Sequence, residues 1–133
     1  MELKSTSNIK RYLGIDWGEK RIGLALGDSE NKIATPFKVV SSLEDILEII
    51  KDERINIVVI GLPFPMHNKK EKIQKEFLEF LDLLKKRIDL PIKTIDERLS
   101  SKQADKLSGN KKTKAPKDAI AAMLILQTYL DKI

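Results

Sequence analysis

The residues whose types and spacing could do chemistry are acids beside glycines and at the ends of apolar runs. Asp16 follows Tyr12-Leu13-Gly14-Ile15 and precedes Trp17-Gly18. Asp96-Glu97 closes Pro91-Ile92-Lys93-Thr94-Ile95, and Asp118 opens the long apolar run Ala119–Leu126. Hard divalent cations such as magnesium and manganese take oxygen ligands. A few carboxylates on rigid elements, completed by substrate phosphate oxygens, make such sites. There is no Cys and only one His, so disulfides, thiolate zinc sites, iron–sulfur clusters, cysteine nucleophiles and poly-His metal sites are excluded. A metal-assisted reaction is then the simplest way for this chain to be an enzyme. Each acid alone also has an ordinary structural use. Asp16 could bond its own backbone in a turn, Asp96 and Glu97 could pair with Lys93 or Arg98 on the surface, and Asp118 could complement a helix dipole.

What decides between these uses is where the elements put the acids. Tyr12–Asp16 reads as a strand, Trp17–Lys20 as a turn and Arg21–Leu26 as a second strand, an antiparallel hairpin by its close spacing. Phe37–Val40 fits a third strand. Ser41 or Ser42 then caps a helix with the stripe Leu43, Ile46, Leu47, Ile50. The β-branched run Ile57-Val58-Val59-Ile60 predicts a central strand covered on both faces, ended by Gly61-Leu62-Pro63. Residues Lys70–Arg87 form an amphipathic pattern with Ile73, Phe77, Phe80, Leu81 and Leu84 on one face. Pro91–Asp96 reads as the last strand and Ser100–Ser108 as a short helix. Pro116–Lys132 is a final helix with Pro near its first position, apolar almost all round and so buried against the sheet. The order β-β-β-α-β-α-β-α-α describes an α/β sheet that opens with an antiparallel meander. Sites in open α/β sheets gather outside the carboxyl ends of the parallel strands, and that is the edge to which Asp16, Asp96-Glu97 and Asp118 are brought.

At 133 residues the chain fits one domain. We expect residues 1–10 to be a disordered extension and residues 11–133 to be that domain. No apolar run approaches the ~20 residues of a membrane span, and the polar start carries no signal-like segment, so the expected location is cytoplasmic. The net charge of +5 is concentrated. From Arg98 to Asp118 there are seven basic residues against two acidic ones, and the other 112 residues balance at 18 against 18. That segment holds the run Ser108–Pro116 with Lys111, Lys112 and Lys114, suited to contacts with a polyanion.

Four segments in order look like one family. Leu13-Gly14-Ile15-Asp16-Trp17-Gly18-Glu19-Lys20-Arg21-Ile22-Gly23, Ile60-Gly61-Leu62-Pro63, Asp96-Glu97-Arg98-Leu99-Ser100-Ser101 and Asp118–Leu130 resemble the motifs of the YqgF, or RuvX-like, family of RNase H-like proteins. That family is described as Holliday-junction-resolvase-like and as nucleases processing the 5′ end of the small-subunit ribosomal RNA precursor. The resemblance implies a five-stranded mixed sheet in the order 3-2-1-4-5 flanked by helices. It also implies Asp16, Glu97 and Asp118 as catalytic, metal-ligating acids, magnesium or manganese as cofactor, and hydrolysis of phosphodiester bonds. Lys20, Arg21 and Arg98, beside the acids, would position phosphates, and Lys111, Lys112, Lys114 and Lys117 would hold more distant ones.

The expected substrate is pre-16S rRNA. Branched DNA is the alternative, and symmetric cleavage of a four-way junction would require a two-fold dimer. The chain carries no mark of such an interface, so a monomer or weak homodimer is expected. A nucleic-acid-binding assembly factor without turnover is a further alternative. Asp16-x-Gly18 also resembles the phosphate-binding start of actin-like ATPases, but these close two such domains over a nucleotide and only one fits here. His67 could shuttle a proton, and Trp17 could either stack a base or pack the turn.

Overall fold

The computed structural model describes residues 8–63, 71–96 and 116–133, without the side chains of 71–74. Its elements are β1 (Arg11–Asp16), β2 (Ile22–Asp28), β3 (Thr35–Val40), α1 (Leu43–Asp52), β4 (Ile57–Leu62), α2 (Glu71–Arg87), β5 (Ile92–Asp96) and α3 (Lys117–Leu130). The sheet order is β3-β2-β1-β4-β5, as the family resemblance implies. β1 pairs antiparallel with β2 and parallel with β4, and β4 pairs parallel with β5. The carboxyl ends of the three parallel strands therefore share one edge.

Strand alternation sorts the side chains to two faces. Leu13, Ile15, Ile22, Leu24, Val58 and Ile60 pack with Ile46 and Ile49 of α1 and with Phe77, Phe80, Leu81 and Leu84 of α2. Tyr12, Ala25, Val59 and Ile95 face the other way, onto Ala122, Ile125, Leu126 and Leu130 of α3. Burial, and then the neighbouring Tyr129 hydroxyl, push the Tyr12 phenol above its ordinary value. The nearly all-round apolarity of α3 follows from its place: alone on its face among the described helices, it lies across β2, β1, β3 and β4. No helix among the described residues is long and apolar enough to cross a membrane.

Element ends differ from the sequence expectation where tertiary bonds extend them. Lys10 bonds Ser29 at both ends, its N–H donating to Ser29 Oγ at 2.8 Å and its carbonyl accepting from Ser29 N–H at 2.9 Å. The hydrogen-bonded fold thus reaches back past Arg11. β2 runs on to Asp28, β3 begins at Thr35 ahead of Pro36, and β4 includes Gly61 and Leu62. Ser42 rather than Ser41 caps α1, its hydroxyl accepting from Asp45 N–H at 3.2 Å. The buried side chains of α1 are Ile46 and Ile49. Leu43, Leu47 and Ile50 are only half-buried, so the stripe is rotated from the expected one. Pro116 is the residue before α3, extended at φ −58°, ψ 143°, rather than its first helical residue. The helix expected over Ser100–Ser108 lies outside the described residues.

One polar residue of α3 ties the hairpin to the helix. Gln127 Oε1 accepts from Ala34 N–H at 2.8 Å, while its Nε2 donates to the Lys32 carbonyl at 3.0 Å and to Asp131 Oδ1 at 2.9 Å. Lys32 has φ 56°, in the left-handed region that a residue with a Cβ enters at some cost. The amide thus fixes a strained loop. Gln127→Ala strands the N–H of buried Ala34 and is expected to lower the unfolding free energy by about 1–3 kcal/mol, read from urea denaturation.

Candidate active site

Tyr12, Gly14 and Asp16 alternate onto the α3 face of β1. The approach at Gly14 is close: a Cβ there would lie 2.7 Å from Leu126 Cβ and 3.0 Å from the Ala122 carbonyl oxygen. Asp16 stands last in the row, half-buried, directly opposite Gly23 of β2. Residues facing each other in an antiparallel pair have Cα atoms ~4.5–5.5 Å apart. The space a side chain would fill at Gly23 is occupied by the backbone of Asp118, its carbonyl group above all. The first turn of α3 therefore rests on the residue paired with Asp16. Asp118, 102 residues from Asp16 in sequence, thus has its main chain packed on the strand partner of Asp16, at the carboxyl end of β1.

Arg21 completes this corner. It lies in the connection between β1 and β2, and its Nε forms an ion pair with Asp118 Oδ2 at 3.1 Å. The guanidinium expected to meet phosphate thus pairs with one of the expected metal ligands. Lys20 is exposed in the same connection, and Lys117 is exposed at the start of α3. Trp17 is half-buried on the opposite face, with its ring 5.7 Å from that of Phe77, edge-on, and 6.2 Å from that of Phe80. Of its two expected uses, packing the turn is the one realised.

On β5, Ile95 faces α3, so Asp96 alternates to the face opposite Asp16. Glu97, Arg98, Lys111, Lys112, Lys114, His67 and the loop around it lie outside the described residues. Among the described residues no three acids, histidines or cysteines form a metal-binding group; of the three expected metal ligands, Asp16 and Asp118 lie among the described residues. Their oxygen donors fit a hard divalent cation. Gln127 and Gly23 went unassigned in the sequence. A glycine inside a strand marks close backbone approach, and that signal was available for Gly23.

The RuvX family, described as Holliday junction resolvase, matches residues 10–132. The chain belongs to the RuvX family. Among its RuvX relatives is a protein of Endomicrobium trichonymphae named "Putative pre-16S rRNA nuclease", 36% identical, with 92% of this chain and 96% of the relative covered. A Maridesulfovibrio salexigens protein of the same name is 37% identical over 90% of this chain and 97% of its own length. The fold also resembles T. thermophilus RuvC, solved in complex with a Holliday junction substrate. The TM-score is 0.64 at 15% identity, covering 92% of this chain and 94% of that one.

Proposed function

We propose that this RuvX chain is a divalent-metal-dependent endonuclease that hydrolyses phosphodiester bonds in the RNA precursor of the small ribosomal subunit. One observation carries the reading: the main chain of Asp118 packs on Gly23, the strand partner of Asp16, which brings the first turn of α3 to the carboxyl end of β1. The names of the relatives support the substrate. In this reading Asp16 and Asp118 hold magnesium or manganese, with Glu97 as the third acid. Bound there, the ion would supply an activated water and stabilise the leaving oxygen without a basic side chain.

The rest of the work falls to the chain's own residues. Lys20 and Arg21, exposed beside the acids, draw in the phosphate backbone and fix its register. Lys117 extends that contact along the start of α3, and Arg98, Lys111, Lys112 and Lys114 extend it further. Gly23 keeps the helix start low enough for Asp118 to serve the same phosphate as Asp16. The proposed setting is the cytoplasm, with the protein a monomer or weak homodimer.

The family description favours one second reading, resolution of branched DNA. Incubation with an end-labelled precursor rRNA fragment and with a four-way DNA junction, each with manganese or with chelator, separates the two. The proposal predicts metal-dependent cleavage of the RNA, absent in Asp16→Asn. Paired cuts in the junction by a tight dimer would reverse the choice of substrate. Binding without cleavage, unaffected by the substitution, would make the protein an assembly factor.

A further inference from the structure

We propose that Arg21 is the resident counter-ion of Asp118, competing with the divalent cation for this carboxylate and moving to substrate phosphate when the cation binds. The inference rests on the reading of Asp118 as a metal ligand. Three observations carry it. The Nε–Oδ2 distance of 3.1 Å makes the contact a direct ion pair on one of the two oxygens a cation would use. The backbone enforces the pairing, because Arg21 lies two residues before Gly23, the residue against which the Asp118 main chain packs. The third is an asymmetry of exposure, 73% for the Arg21 side chain against 29% for that of Asp118. Asp118 is held in place while Arg21 can leave.

The chemistry suits such an exchange. A guanidinium has five N–H donors, and an ion pair made through Nε leaves the terminal N–H groups to meet a phosphate oxygen. Exposed ion pairs are weak, changing an equilibrium constant by up to about fivefold. A cation can therefore displace the pair readily, and nucleic acid that draws Arg21 onto phosphate frees Asp118 at the same time. Before substrate arrives, the guanidinium offsets the charge of the Asp118 carboxylate.

Calorimetric titration of metal-free protein with Mn²⁺ tests this in four forms: wild type, Arg21→Gln, Lys20→Gln and Asp118→Asn. Arg21→Gln is expected to bind Mn²⁺ about three- to fivefold more tightly than wild type, the share an exposed pair contributes. A merely structural role for Arg21 would lower the affinity instead. Lys20→Gln removes the same charge one residue away, and its gain is expected to be clearly smaller. Asp118→Asn should lose Mn²⁺ affinity. If Arg21→Gln binds no better than wild type, or Lys20→Gln gains as much, while Asp118→Asn loses binding, the counter-ion proposal falls alone. If Asp118→Asn binds Mn²⁺ as wild type does, the metal-site reading falls and takes this proposal with it.

Discussion

Gly23→Ala should be among the most damaging single-methyl additions in this protein. The new Cβ would overlap the carbonyl carbon and oxygen of Asp118 and lie 2.9 Å from Ala119 N. All three are main-chain atoms, so no rotamer change relieves the overlap. Nor can α3 slide away as a whole, since Ile125, Leu126 and Leu130 are buried along its length. Its first turn must lift from β2. Overpacking of this kind costs about 3 kcal/mol or more when the neighbour cannot yield, which lowers the melting temperature by about 10 °C or more in a domain of this size. None of the described glycines has a positive φ, so space rather than backbone conformation is at stake. Gly27→Ala is the internal control, because its Cβ would meet Leu130 Cδ1 at 3.1 Å and the Ile33 carbonyl oxygen at 3.2 Å. Its loss should stay near 1 kcal/mol, within what small core adjustments absorb. Equal melting temperatures for the two variants would refute the close approach of α3 to β2. Below its melting temperature Gly23→Ala should also lose cleavage activity, because lifting the helix start carries Asp118 away from Asp16.

The strands were legible because their patterns are unambiguous. The run Ile57–Ile60 is apolar at every position because β4 is covered by α1 and α2 on one side and by α3 on the other. Asp16 stands out as a candidate for a local reason, an acid at a strand end beside a glycine. Other features depend on contacts that no local window contains. In α1, Ile49 joins Ile46 as a fully buried residue, while Leu43 and Ile50 pack against the core only in part, a difference set by tertiary docking rather than by the stripe itself. Gln127 has no local pattern that points to its role, because its amide bonds a loop 95 residues earlier. Arg21 read as a phosphate contact from its neighbours in sequence; only the docking of α3 over Gly23 brought Asp118 to it. Pro116 was placed one position late, since its fixed φ suits both the cap and the first helical position.

The largest expected effect is on catalysis, and it bears on the central claim that Asp16 and Asp118 act as one hydrolytic site. Asn keeps the shape of Asp while removing the charge that binds a cation. Each substitution alone should therefore disable the same metal-dependent step. Groups that act as a unit show strongly non-additive losses, whereas independent sites add in free energy. The decisive measurement is the single-turnover cleavage rate of wild type, Asp16→Asn, Asp118→Asn and the double variant on one end-labelled precursor rRNA fragment in manganese. The account predicts that each single substitution slows cleavage at least about a hundredfold and that the double variant is scarcely slower than either. It would be contradicted by a double variant whose loss is the product of the two single losses, or by either single variant cleaving within a few-fold of wild type.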